Sequence, residues 1–479
     1  MPLPKKKGPT IAPLKETMPK NFPNMDRLPT TWLFHHWESI RTSLWFIPTV
    51  LALSAVALAA ATIGIDQWLG MQTEWFRESY LAGAGPEGAR VILSTIAGSV
   101  ITVTGVTFSI TIVALTLASS QFGPRLLRNF MKDKGNQLVL GAFIATFIYC
   151  VIVLRSIHSD GEENFIPNIS LTLAVILVCA DVFVLIYFIH HISASIQADN
   201  VIEDVYDELE WNIHRIFPEE LDREGNSPDK IISPDYREKA CRPFCREIKS
   251  PATGYVQAID YETLMEIGRN SECLILLRTR AGKFSTTGDP IASVGSDEPL
   301  DRKICKKIAG SFIFGSIRTP EQDVEYAIHQ LVEVGVRSLS PGINDPYTTI
   351  ACIDRLGAAL CLLANKQFPS PYLNDEEGQV RLIMDVTTFS GMTNAAFDQI
   401  RQYGRSSVAV TIRLIETLAN IAGHARLPEQ RRTIVRQAEM ILRTSREFKE
   451  KNDREDVERR YRGLLNFIAS NGQARGSNG

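Results

Sequence analysis

Hydrophobic and polar positions change their rhythm near residue 190. Before that point four apolar runs, 44–65, 91–118, 138–154 and 169–189, contain no Lys or Arg, and Asp181 is the only acid within them. A helix rises about 1.5 Å per residue against roughly 30 Å of hydrocarbon, so about twenty apolar residues are enough to cross a bilayer. The pattern predicts an integral membrane α-helical domain of four transmembrane helices over 44–192, preceded by a basic, partly disordered cytoplasmic arm at 1–43.

Past residue 193 the apolar positions alternate with charge, as in a water-soluble domain. Ile202, Val205, Leu209, Ile213 and Ile216 recur at helical spacing, with Glu203, Asp204, Asp207, Glu208 and Glu210 on the other face. They predict an amphipathic stalk at 193–217 that prolongs the fourth span and stops at Pro218. A β-rich subdomain is expected at 218–317. It has a loop over 225–250, strands near 254–259, 273–279, 290–294 and 311–317, short helices at 261–268 and 300–309, and a small barrel-like closure. No lysine stands in the setting of a lipoyl-like barrel, so no cofactor is expected.

A helical subdomain follows at 318–470. Thr319-Pro320-Glu321-Gln322 reads as a capped helix start running to about Leu339. Asp345-Pro346 begins the next helix, and 387–403, 405–423, 427–447 and 453–470 complete the set. A Gly/Ser/Asn tail at 471–479 is expected to be disordered. The fold class is thus an integral membrane helical domain joined to a cytoplasmic α+β region.

Charge orients this arrangement. The arm carries Lys5, Lys6, Lys7, Lys15, Lys20, Arg27 and Arg41, and the loop after the second span carries Arg125, Arg128, Lys132 and Lys134. The other two loops hold Asp66, Glu74, Glu78 and Glu87, and Asp160, Glu162 and Glu163. Positive residues stay inside, so both termini are expected in the cytoplasm of a bacterial inner membrane. Trp32, Trp37, Trp45, Trp68 and Trp75 flank the first span as interfacial anchors. A net charge of −3 gives no reason to expect nucleic acid. The eight cysteines are scattered, and the Cys241/Cys245 pair lacks the second pair that a metal site needs.

Four features bear on function. Ser94, Gly98, Thr102, Gly105, Ser109 and Thr116 fall on one face of the second span. They suit either close helix packing or a polar stripe lining a pore in an oligomer. Asp181, near the middle of the fourth span, is an intramembrane acid. It is either protonated and hydrogen-bonded to the stripe or to Tyr149, or it faces a water-filled cavity. His190 and His191 are neighbours on a helix and point apart. In the soluble part, Arg318, Gln322, Asp323, Arg337, Ser340, Asn344 and Asp345 form a polar cluster that capping and turn formation explain without catalysis. No phosphate loop, hydrolase triad or dinucleotide fingerprint is present, and a membrane enzyme is the least supported reading.

Four strings stand out: 119–125 (Ser-Ser-Gln-Phe-Gly-Pro-Arg), 188–192 (Phe-Ile-His-His-Ile), 318–326 (Arg-Thr-Pro-Glu-Gln-Asp-Val-Glu-Tyr) and 338–346 (Ser-Leu-Ser-Pro-Gly-Ile-Asn-Asp-Pro). Through them the chain resembles a bacterial family of predicted membrane proteins catalogued only as a domain of unknown function, number twenty-two fifty-four, from about Trp37 to Ala422. The resemblance implies four spans, a cytoplasmic C-terminal domain and an inner membrane, and it brings no activity or site residues. Two functions stay open. One is a homo-oligomeric channel or transporter with a cytoplasmic regulatory domain. The other is a non-conducting anchor whose cytoplasmic domain binds a ligand or partner.

Overall fold

The computed structural model describes residues 45–70, 85–124, 133–160, 163–217 and 244–476. The basic arm, Trp32, Trp37, Glu74, Trp75, Glu78, Arg125, Arg128, Lys132, Glu162, Pro218 and Cys241 lie outside them. Five described helices are long and apolar enough to cross a bilayer. Four match the apolar runs and extend past them: α1 (Phe46–Gly70), α2 (Gly85–Phe122), α3 (Lys134–Ser156) and α4 (Asn168–Ser195). The chain divides into two compact units, Met1–Thr104 with Met131–Val184, and Gly105–Phe130 with Leu185–Gly479. The divisions fall inside α2 and α4.

In the first unit α1 lies along α3. The approach is closest at Gly141, where a Cβ would stand 2.6 Å from Leu51 Cδ1 and 3.1 Å from the Pro48 Cα. Ala55 and Ala59 of α1 and Val139 and Phe143 of α3 are buried. Small residues permit this proximity in lipid, where apolar burial alone does not drive helices together. Exposed Trp45 and Trp68 mark the two ends of α1, separated by about 34 Å at the helical rise. A short hairpin, β1 (His158–Asp160) and β2 (Glu163–Phe165), joins α3 to α4.

Asp66 is a correction to the sequence reading. It is a buried residue of α1, not a loop acid, and it accepts hydrogen bonds from Ile169 N (2.9 Å), Ser170 N (3.0 Å) and Ser170 Oγ (2.7 Å). It caps α4 from another helix, which matters because a bare helix end near hydrocarbon costs several kcal/mol per backbone group.

In the second unit the expected continuous stalk is broken. α4 ends at Ser195 and α5 (Ala198–Ile216) begins after a turn, with Gln197 in extended conformation at its N-cap. The apolar face of α5, Val201, Ile202, Val205, Leu209 and Ile213, is buried in the main core of the second unit.

The loop expected over 225–250 contains a strand in its described part, β3 (Phe244–Lys249). Next come β4 (Gly254–Ile259), α6 (Tyr261–Asn270), β5 (Leu274–Leu277), β6 (Phe284–Ser285), β7 (Pro290–Ser296), α7 (Arg302–Gly310) and β8 (Phe312–Gly315). α8 (Val324–Ser338), α9 (Pro346–Ala364), β9 (Tyr372–Asn374) and β10 (Val380–Ile383) follow. The chain then forms α10 (Phe389–Tyr403), α11 (Val408–His424), α12 (Pro428–Ser445) and α13 (Lys451–Gly476).

Among the described residues the strands make a five-stranded sheet, β3-β7-β5-β10-β9, and a three-stranded sheet, β6-β4-β8, which do not close into one barrel. β10 pairs parallel with β5, so the hairpin at 372–383 completes a sheet begun a hundred residues earlier. Its four-residue apolar strand inside a helical stretch gave no period by which to recognise it. The last helix, expected to stop at 470 before a disordered tail, runs from Lys451 to Gly476, and 477–479 lie outside the described residues.

α9 is the fifth apolar helix. Cys352, Ile353, Leu356, Leu360 and Leu363 are buried among residues of α5, α8, α10 and α11, so its hydrophobicity is accounted for by a protein core. Ala118 and Phe122, at the end of α2, belong to the same core.

Candidate functional site

The six stripe residues of α2, Ser94, Gly98, Thr102, Gly105, Ser109 and Thr116, are all exposed. A Cβ built on Gly98 or Gly105 would meet nothing within 4 Å. Along α2 itself these positions are open. The buried face of α2 is a different set: Leu93, Ala97, Val100, Thr104, Thr107, Thr111 and Ala114. Each stripe hydroxyl donates to its own helix, Ser94 to Val91 O (3.0 Å), Thr102 to Gly98 O (2.8 Å), Ser109 to Gly105 O (2.8 Å) and Thr116 to Ile112 O (2.9 Å). From Ser94 to Thr116 the stripe rises about 33 Å, the depth of the hydrocarbon.

Asp181 is buried in the first unit and is bonded to the Thr146 hydroxyl of α3. It meets neither the stripe nor Tyr149. The Tyr149 hydroxyl instead contacts Thr62 Oγ1 at 3.0 Å and donates to Ser170 O at 3.1 Å, tying α1, α3 and α4 together. His191 stacks on Tyr187 with ring centroids 5.3 Å apart.

Within the second unit the end of α2 meets α8. Gly123 ends α2 at φ +111°, a conformation that favours glycine, and a Cβ there would lie 2.4 Å from Glu333 Oε1 and displace that side chain. Arg337 pairs with Glu333 at 3.6 Å and donates to Ser120 O at 3.3 Å. A guanidinium at the C-terminal carbonyls of α2 answers the negative end of that helix. Ser120 and Gly123 thus join the end of α2 to α8 within the second unit.

The polar cluster divides into two places. At the start of α8, Arg318 binds the Asp323 carboxylate through two nitrogens, at 2.8 and 2.7 Å, and contacts His329 Nδ1 at 3.2 Å. Burial pushes the Asp323 carboxyl above its ordinary range, and the Arg318 guanidinium opposes that shift. The carboxylate occupies the space over Gly282, where a Cβ would stand 2.1 Å from Oδ2.

Gln322 does not close a capping box, and the helix starts at Val324 rather than at the Thr319-Pro320 signal. The Gln322 carboxamide accepts from Ile259 N (2.9 Å) and donates to Ile259 O (3.0 Å). It pairs with β4 as a peptide group would, and this competing bond explains the delayed start. Arg280 adds a contact to Glu325 at 2.8 Å and one to Asp385 at 3.9 Å.

Asn344 and Asp345 lie at the other end of α8, about 22 Å away by its rise. Asp345 caps α9, accepting from Tyr347 N (3.0 Å), Thr348 N (3.2 Å) and Thr348 Oγ1 (2.6 Å). Those bonds, the Thr348 hydroxyl first, hold its carboxyl below the usual range. Asn344 turns the chain at φ +50°, a conformation Asn tolerates.

Sequence reasoning missed Arg280, Glu325, Thr146 and Gly141, because each acts through a partner far away in the chain, and it missed His329 and Glu333, whose partners Arg318 and Arg337 are nearer. Among the described residues no group of three His, Cys, Asp or Glu side chains could hold a metal ion.

A family model described as "Predicted membrane protein (DUF2254)" matches residues 41–420. An uncharacterized protein of Mycobacterium tuberculosis strain H37Rv is 28% identical over 432 residues, covering 87% of this chain and 79% of that protein. An uncharacterized protein of Mycobacterium bovis matches with the same figures, 28% over 432 residues, 87% and 79%. No solved structure matches the chain.

Proposed function

The chain belongs to the DUF2254 family of predicted membrane proteins, and on that premise we propose that it is a homo-oligomeric channel or transporter of a bacterial inner membrane. In this reading α1–α4 are its four spans, both termini are cytoplasmic, and the soluble part regulates it. The observation that carries the reading is the uncovered stripe on α2, on the same helix whose other end is built into the soluble core at Phe122 and Gly123. A small, hydroxylated face left open along the whole hydrocarbon depth invites either another copy or water. A helix fixed at one end in a soluble core carries any rearrangement there to that face.

The test is ion and proton flux in liposomes reconstituted with the full chain. Flux that falls in Thr102→Leu and Ser109→Leu variants supports conduction along the stripe. Absence of flux for cations, anions and protons alike overturns conduction. A second reading is favoured by the bonding of the stripe: every hydroxyl is satisfied by its own helix, which suits a dry contact between copies. The protein is then a non-conducting anchor whose cytoplasmic part binds a ligand or partner. An oligomer that persists without any flux distinguishes this reading from the first.

A further inference from the structure

Asp181 is residue 14 of the 28 in α4, about 20 Å from either end of the helix. It is 5% exposed, and its Oδ2 has no hydrogen-bond partner. From α3, the helix facing it, come the Thr146 hydroxyl, which bonds it, and one turn further the buried thiol of Cys150, a group within electrostatic reach that brings no positive charge. Tyr149 is committed to Thr62 and Ser170. No Lys or Arg occurs in 44–65, 91–118, 138–154 or 169–189.

An ionised carboxylate in such a place would lack both a counter-ion and a second donor, and an isolated charge removed from water is the costliest group a protein can bury. A neutral carboxylic acid carries no charge to bury and keeps its one bond to Thr146, and an unpartnered neutral oxygen costs far less than an unpaired charge.

We propose that Asp181 is a proton-binding site at the middle of the membrane, occupied at neutral pH, with Thr146 as its positioning partner. Its ligand is the proton itself. Release of that proton to water leaves a bare carboxylate against α3, which drives water or a cation inward or moves α4 away. The site belongs to a single chain and does not depend on the stripe, so it stands whether or not the protein conducts.

The test is infrared spectroscopy of the full chain in lipid nanodiscs between about pH 5 and about pH 8, a range that brackets neutrality and lies above the ordinary Asp value. The wild type minus Asp181→Asn difference is expected to show one protonated-carboxyl C=O stretch at neutral pH, lowered in heavy water. Carboxylate stretches in its place at neutral pH would overturn the proposal. Thr146→Val provides a second measurement independent of folding in the first variant: loss of its bond should move the same band to higher frequency, and a band that does not move would refute the role given to Thr146. Asp181→Asn should keep the melting temperature, since one neutral group replaces another. A large drop would show that the charge is structural.

Discussion

The contact between α1 and α3 and the outer face of α2 use the same residue types to opposite ends. Gly141, Ala55 and Ala59 are covered, with the Leu51 side chain and Pro48 backbone pressed onto the glycine. Gly98 and Gly105 are bare. Both segments are apolar and rich in small residues, so sequence alone makes them alike. A small residue in a membrane helix marks a place where a backbone can come close, and only the fold tells whether one has. Within this chain the closeness has been used on α3 and left unused on α2.

The comparison can be broken first at its covered side. Gly141→Leu inserts a side chain where even a Cβ has no room, and it should cost about 3 kcal/mol or more in denaturant titration in detergent. A cost near zero would mean that α1 and α3 are not pressed together. Asp66→Ala should follow, at about 2–3 kcal/mol, because three donors at the start of α4 lose their acceptor. Gly123→Ala is expected to cost about 1–2 kcal/mol through its positive φ. Its hydrogen exchange should rise in α8 as well as at the end of α2, since the clash falls on Glu333.

Asp345→Ala should remove about 1 kcal/mol from the soluble part, the worth of an N-cap. The folded carboxyl lies below its unfolded value, so this contribution is fully present above about pH 4 and is lost as the pH falls further toward the folded value. Acid titration of the wild type against the variant reads that window directly. Smallest of all, Gly105→Leu should leave the stability of a single chain unchanged, and whatever it alters must be contact between copies.

The long apolar runs made four of the apolar helices legible, because twenty apolar residues in succession carry a signal that no distant partner can mask. Caps with local partners were legible too: Asp345 before Pro346 does what its spacing implies. Gln322 misled for the same reason that it matters, since its amide bonds to β4, sixty-three residues earlier in the chain, rather than to its own turn. β10 was hidden because its pairing with β5 crosses three helices, α7, α8 and α9. Asp66 looked like a loop charge because nothing nearby in sequence announces that it caps α4. The polar cluster at 318–345 was legible as residues and not as geometry: its halves sit at opposite ends of α8.

The central claim, that the open face of α2 is where copies of this chain meet, is tested most directly by oxidative disulfide trapping in native membranes. Cysteines placed at Gly98 and Gly105 should give cross-linked dimers, and cysteines at Thr104 and Thr111, on the buried face of the same helix, should give none. Dimers at the buried positions instead, or none at any of the four with a single-chain mass in detergent, would contradict it.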